Sequence, residues 1–131
     1  MLIQPCCGWT TVSIGDFNMR ASYLTDVPGD CLNAFIHSFE SDLPAAIEFD
    51  AEGWEFTLIS DFYSTYIILK YDEPKLIEIN VGRQELALEL IDDIEKNIYL
   101  WSQWQDDDLI EYNKECLYEK IQCLKSLIDK V

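Results

Sequence analysis

The feature that most limits the fold of this chain is a change in its hydrophobic period. Over residues 47–81 apolar and polar residues alternate, as where Ile47 and Phe49 are interleaved with Glu48 and Asp50. Side chains of a β-strand point alternately to its two faces, so this period predicts strands with one buried face. Turn signals interrupt the pattern at 50–53, 60–61 and 72–75. The stretch therefore predicts an antiparallel meander of four strands.

The N-terminal third predicts a hairpin followed by a helix. Residues 17–24 alternate in the same way, residues 9–14 form the other arm of the expected hairpin, and Gly15 between the arms tolerates the positive φ of a tight turn. The apolar residues of 29–42 instead recur at helical spacing, and Pro28 suits the start of a helix. We therefore expect one helix between the hairpin and the meander.

The last third has helical periodicity throughout. Apolar stripes over 84–104 and 109–130 predict two amphipathic helices, with Glu85, Glu89 and Asp92 on the solvent side of the first. A length of 131 residues is typical of one domain. The prediction is a single α+β domain over residues 1–131. It has an antiparallel sheet of about six strands, the hairpin plus the meander, with its helices packed mainly on one face.

The charge balance is strongly acidic. The chain has 25 Asp and Glu against 9 Lys and Arg, a net charge of −16, and Arg20 is the single basic residue of positions 1–69. Such a surface repels nucleic acid and anionic membranes and attracts cationic partners. The alternative is that the charge serves solubility alone, although a charge of about 2–8 suffices for a small domain.

Nothing at the start of the chain has the basic and apolar regions of a signal peptide, and no apolar run approaches a membrane span. We therefore expect a cytoplasmic protein with reduced thiols. Cys6 and Cys7 are adjacent, whereas zinc ligands stand two to four residues apart. Cys31 and His37 fall on nearly opposite sides of the first helix. Buried, reduced cysteines and no metal or other cofactor are the expectation.

The sequence contains no recognisable catalytic motif. His37 is the one histidine, in a helix interior without a supporting nucleophile motif, and the five glycines stand too far apart for a phosphate loop. With so many acids, carboxylate pairs such as Asp92-Asp93, Glu48/Asp50 and residues 106–108 are interpreted as solvated surface. We expect a protein that is not an enzyme; a deep pocket around His37 would favour the opposite.

Aromatic residues beside carboxylates indicate recognition of another protein. Such neighbours combine the aromatic anchors of interfaces with charges that complement Arg and Lys. Trp101 is predicted to be core, while Trp54 and Trp104 could belong to the core or to an interface. The predicted partner-binding residues are Asp50, Glu52, Glu55, Asp72, Glu73, Asp106, Asp107 and Asp108. The turns that carry the first five could emerge at one end of the sheet or at opposite ends.

Three stretches resemble the immunity proteins of bacterial polymorphic toxin systems, including contact-dependent growth inhibition. They are residues 15–28, 48–54 and 90–101, which read GDFNMRASYLTDVP, EFDAEGW and LIDDIEKNIYLW. The resemblance implies a cytosolic protein that binds a cognate toxin domain, often a basic nuclease, and occludes its active site or substrate groove. It implies no direct nucleic-acid or membrane binding and transfers no active-site residues. The alternative is an acidic interaction module of another kind: a nucleic-acid mimic, an adaptor or a complex subunit.

Overall fold

The structure of the protein, a computed structural model, describes residues 1–105 and 108–131. In these residues six strands and four helices follow one another in the predicted order, which confirms the α+β class. The hairpin strands are β1 (Trp9–Ile14) and β2 (Phe17–Ser22), and the meander strands are β3 (Ala45–Asp50), β4 (Glu55–Ser60), β5 (Thr65–Leu69) and β6 (Lys75–Ile79). The helices are α1 (Val27–Ser41), α2 (Arg83–Lys96), α3 (Ile98–Trp101) and α4 (Ile110–Ile128).

The meander has the strand order β3-β4-β5-β6 with antiparallel pairing throughout. Its register aligns Ile47 with Leu58 and Leu58 with Ile67 across three strands, so the apolar positions share one face. Phe49 and Phe56 stack at the centre of that face with ring centroids 5.0 Å apart. The alternation therefore produces one buried inner face and one outer face.

The six strands form two sheets rather than one continuous sheet, since β1 and β2 pair only with each other among the named strands. The hairpin instead packs through its side chains: the ring of Phe17 lies 6.0 Å from that of Phe56, edge to face. Phe17 and Ala21 of β2 are buried, so this packing removes apolar surface from water.

Helix α1 begins where the residues around Pro28 predicted. The side chain of Asp26 accepts a hydrogen bond from the Gly29 N–H (3.3 Å) and caps the helix. A Cβ atom at Gly29 would lie 2.2 Å from an Asp26 oxygen, so this cap requires glycine there. The helix then packs on β3, α2 and α4 and covers the core with its buried apolar stripe.

The single helix predicted over 84–104 is divided at Asn97, whose φ of −129° leaves the helical range. The break separates α2 from α3 and lets two tryptophans pack together, with ring centroids 5.4 Å apart. Trp101 is 2% exposed, which confirms its prediction as core. Trp104 is also buried, and its indole N–H donates to the Thr25 carbonyl (2.8 Å), so this residue belongs to the core.

The interpretation of Asp92-Asp93 as solvated surface is wrong for Asp93. Its carboxylate is buried and accepts hydrogen bonds from the Met1 amino group (2.5 Å) and the Leu2 N–H (2.8 Å). Lys96 lies 3.1 Å away. Burial opposes the charged form, but these bonds outweigh it, and the pKa of Asp93 lies below its usual range. Helical periodicity placed only Asp92 correctly, because the partners of Asp93 come from the distant N-terminal segment.

None of the helices within 1–105 and 108–131 combines the length and the apolarity that crossing a bilayer requires.

Asp93→Asn should lower the free energy of unfolding at pH 7 by about 2 kcal/mol, because buried donors lose their charged partner. Folding lowers the pKa of Asp93. The carboxylate therefore stabilises the fold fully above its pKa in the unfolded chain, about 3.9, and this stabilisation is lost as the pH falls through its lower pKa in the folded protein. Urea unfolding at pH 7 and at pH 3 should therefore show the two proteins converging in acid. Asp92→Asn, on the exposed neighbour, is the control and should change little; equal effects would contradict this role.

Candidate functional site

Two turns of the meander emerge at the same end of the sheet. In an antiparallel meander the first and third turns must share an end, and here the connections β3–β4 and β5–β6 are those turns. Two contacts join them: the Lys70 N–H donates to the Glu55 carbonyl (3.1 Å), and the rings of Trp54 and Tyr71 are 5.6 Å apart. This end, defined by Asp50, Glu52, Glu55, Asp72 and Glu73, is called the acidic end below. The structure thus brings five of the eight predicted partner-binding residues together.

The turn between β3 and β4 holds its acidic residues in fixed positions. The Asp50 carboxylate accepts a hydrogen bond from the Glu52 N–H (2.7 Å), and the Ala51 N–H donates to the Trp54 carbonyl (2.9 Å). Glu52 has a φ of +55° and Gly53 a φ of +104°, the left-handed conformations of a tight reversal. Asp50 therefore positions the turn, while the exposed side chain of Glu52 projects from it.

The turn between β5 and β6 presents Asp72 and Glu73 to solvent. Asp72 has a φ of +59°, a conformation that Asp tolerates better than most residues. Both carboxylates are exposed, and Pro74 precedes β6. This turn therefore adds two exposed carboxylates beside those of the first turn.

Glu48 extends the acidic end onto the outer face of the sheet. Lys70 Nζ lies 3.5 Å from a Glu48 carboxylate oxygen and 3.8 Å from one of Glu55. Contact with Glu55 and then with Lys70 lowers the pKa of Glu48, whereas the neighbouring Glu48 carboxylate raises that of Glu55. Glu48 was not among the predicted partner-binding residues. The sequence signal that could have included Glu48 was its position two residues before Asp50, which places both residues on the same face of the strand.

Trp54 and Tyr71 stand at the boundary between core and solvent. The Trp54 ring is half-buried, 5.9 Å from the core residue Phe56, whereas Tyr71 is 68% exposed. Trp54 therefore packs on the core and also lines a pocket, while its membership of an interface remains a prediction. This pocket, called the aromatic pocket below, is lined by Met19, Trp54, Leu69, Tyr71, Glu73 and Lys75.

The outer face of the meander is also accessible. Ile59, Tyr66 and Ile68 are half-buried there, and Leu76 is 64% exposed. The register of β3 and β4 places Glu48 and Glu55 on the same outer face, next to these side chains. The acidic end is thus continuous with a partly apolar surface.

The other three predicted partner-binding residues are Asp106, Asp107 and Asp108. Asp106 and Asp107 lie outside the described residues. Asp108 is exposed and precedes α4, a helix that packs on α1 and α3. The described part of the chain therefore places the candidate surface on the meander turns.

The cysteines differ from the expectation of burial. Only Cys31 is fully buried, whereas Cys6, Cys7 and Cys123 are exposed and Cys116 is half-buried. The periodicity of apolar residues could not predict this exposure, because the sequence around an exposed cysteine does not distinguish it from a buried one. His37 is exposed on α1, away from Cys31. Among residues 1–105 and 108–131, no group of three or more His, Cys, Asp or Glu side chains could hold a metal ion.

Comparisons with known proteins give no relative: no protein-family model matches the chain, and neither a curated protein nor a solved structure is significantly similar to it.

Thiol reactivity should follow this burial pattern. Burial raises the pKa of the Cys31 thiol well above its ordinary value, so Cys31 should react with iodoacetamide only through unfolding. We expect it to be alkylated about 10³-fold or more slowly than exposed Cys123, since folding favours the native state by roughly 5 kcal/mol or more. Peptide mass spectrometry over time measures both rates, with urea-unfolded protein as the control. Comparable native rates would contradict the burial of Cys31.

Proposed function

We propose that this chain is a protein-binding protein whose acidic end docks on a cationic protein, and that this partner is a toxin domain which it neutralises as an immunity protein. The observation that carries the proposal is the shared end of the two meander turns. It gathers Glu52, Glu55, Asp72 and Glu73 around the half-exposed pair of Trp54 and Tyr71. Aromatic anchors surrounded by charge are typical of protein interfaces.

Charge supports a cationic partner. The net charge of −16 attracts basic proteins over a distance of about 10 Å at moderate salt. Electrostatic steering can raise association to about 10⁸–10⁹ M⁻¹s⁻¹ at low salt. Rapid capture suits a protein that must neutralise a damaging enzyme before it acts.

The rigidity of the turns supports tight binding. Asp50 fixes the β3–β4 turn through the Glu52 N–H, and Lys70 ties the two turns together through its N–H. A preformed surface loses little conformational entropy when a partner docks. The acidic end therefore presents its carboxylates in an arrangement that binding need not create.

The toxin assignment is supported by the resemblance of residues 15–28, 48–54 and 90–101 to immunity proteins of polymorphic toxin systems. Under this proposal the partner is a basic, nuclease-type domain. The carboxylates at Glu52, Glu55 and Glu73 would occupy the positions where Lys and Arg of the toxin otherwise meet nucleic-acid phosphates, and the bound chain would occlude the active site or substrate groove.

A second candidate is an acidic interaction module unrelated to toxins, such as an adaptor, a nucleic-acid mimic or a subunit of an assembly. The partly apolar outer face around Ile68 and exposed Leu76 favours it, since subunits bury such surfaces against one another. Co-expression distinguishes the two: an immunity protein should restore growth to cells that produce the toxin encoded beside it, and an adaptor should not.

The direct test is co-purification of this chain with the product of the adjacent gene. We expect an equimolar complex at low salt, with an association rate that falls steeply as salt is added. A stable absence of complex at low salt would contradict the proposal.

Charge reversal at Glu52→Lys/Glu55→Lys should slow association with that partner by about 10-fold or more at low salt, while stability changes little because both side chains are exposed. Stopped-flow kinetics measures the rate. Glu115→Lys/Glu119→Lys, two exposed positions on α4, changes the net charge equally and is the matched control. Equal slowing by both pairs would show that net charge matters and the acidic end does not.

Association should also depend on the protonation of Glu55. Its pKa is raised by the Glu48 carboxylate, so its negative charge is present at neutral pH and is lost earlier on acidification than that of an ordinary exposed glutamate. On acidification, the association rate of the wild type should therefore begin to fall at a higher pH than the titration of an ordinary exposed glutamate, with a pKa of about 4.3, would give. The association rate of Glu55→Gln should be lower than that of the wild type at neutral pH and should fall less on acidification. The rate of Glu52→Gln, which keeps Glu55, should still fall as the wild-type rate does. Parallel profiles for all three would contradict this role.

A further inference from the structure

We infer that the aromatic pocket binds one arginine side chain of the partner, with its guanidinium against the rings of Trp54 and Tyr71 and beside the Glu73 carboxylate. This inference rests on the proposed function, because it names the anchor by which a cationic protein would be held at the acidic end. It adds a specific ligand chemistry that charge alone does not supply.

The two rings form walls suited to a planar cation. Their centroids are 5.6 Å apart and their planes meet at 65°, an edge-to-face contact that covers at most one face of one ring. Tyr71 is 68% exposed and Trp54 is half-buried, which leaves ring surface accessible from solvent. A cation within about 6 Å of such a ring is attracted to its negative face.

The floor of the pocket is apolar. Met19 of β2 and Leu69 of β5 line it, so the hairpin and the meander both contribute. The methylene stem of an arginine can pack on these side chains while its head stays near the mouth. Partial exclusion of water there strengthens the attraction between the guanidinium and the rings.

Shape and hydration favour arginine over lysine at the pocket. Glu73 lines the pocket and Asp72 precedes it, both exposed, while Lys75 is the opposing charge and repels any cation. An ammonium is a compact, strongly hydrated point charge. Guanidinium is planar and weakly hydrated, stacks on aromatic faces and pairs with carboxylates through two parallel hydrogen bonds. These properties match two rings and one carboxylate.

The molecule itself contains the same kind of contact. Beside the aromatic pocket lies a groove that shares Met19 and Trp54 with it, and there the Arg20 guanidinium lies 4.3 Å from the centre of the Trp9 ring. Arg83 likewise lies 4.4 Å and 4.1 Å from the rings of Phe39 and Phe62. Both arginines of the chain thus lie over other rings, and among the described residues Trp54 and Tyr71 have no guanidinium over them.

The test uses NMR of the full chain, with the Trp54 indole signal assigned from Trp54→Phe. Three blocked amino acids serve as probes: N-acetyl-arginine, N-acetyl-lysine and N-acetyl-norleucine N-methylamides. The arginine probe should shift the Trp54 and Tyr71 signals at roughly 10 mM, as expected of one cation–π contact. The lysine probe should shift them less and the norleucine probe least. Equal or larger shifts with lysine or norleucine, or none with arginine, would overturn the inference.

Variants separate the pocket from the fold. Tyr71→Leu and Glu73→Gln should each reduce the arginine-induced shifts at least about threefold, and Tyr71→Leu should weaken binding of the natural partner by about 30-fold, the size of an interface hot spot. Tyr112→Leu and Glu115→Gln, at exposed positions on α4, are the matched controls and should behave as wild type. Since Glu73 is exposed, Glu73→Gln keeps the test valid if Tyr71→Leu disturbs folding.

The two proposals fail in different ways. If Glu52→Lys/Glu55→Lys slows partner association while Tyr71→Leu binds the partner as Tyr112→Leu does, the arginine pocket is wrong and the proposed function stands. If the arginine probe binds but no complex forms with the neighbouring gene product, the pocket stands as a guanidinium site and the toxin assignment is wrong.

Discussion

The antiparallel register of β3 to β6 is the constraint on which the rest of the molecule depends. It aligns Ile47, Leu58 and Ile67 on one face, so α1 and the hairpin have an apolar surface to cover. The same register sends the first and third turns to one end of the sheet. The core and the acidic end are therefore consequences of a single pairing pattern, and a slip by one residue would exchange the buried and exposed faces.

The placement of charge reconciles a stable fold with a strongly acidic surface. Most carboxylates of the candidate site lie in turns or on the outer face, where water screens their mutual repulsion. Among the described residues Asp93 and Arg83 are the buried charged ones: Asp93 bonds the N-terminal segment, and Arg83 donates to Ser38 and contacts two phenylalanine rings. These buried charges tie distant segments together, while the carboxylates of the acidic end are accessible from solvent.

Rate and specificity have separate origins in the proposed interaction. The overall charge and the carboxylates of the acidic end would guide a cationic protein and accelerate its approach. Trp54 and Tyr71 would then provide a desolvated anchor for one side chain, which slows dissociation. An immunity protein needs both properties, because its partner must be captured quickly and must not escape.

The sequence by itself determined the elements whose signals are local. Alternation and turn residues predicted the hairpin and the meander, and helical spacing with Pro28 predicted α1, because each signal involves residues close along the chain. Only the tertiary structure decided the break at Asn97, the burial of Asp93 and Trp104, and the shared end that unites Glu52 with Glu73. These depend on contacts between residues far apart in sequence, which periodicity cannot register: the buried Trp104, for example, donates its indole N–H to the Thr25 carbonyl, 79 residues away.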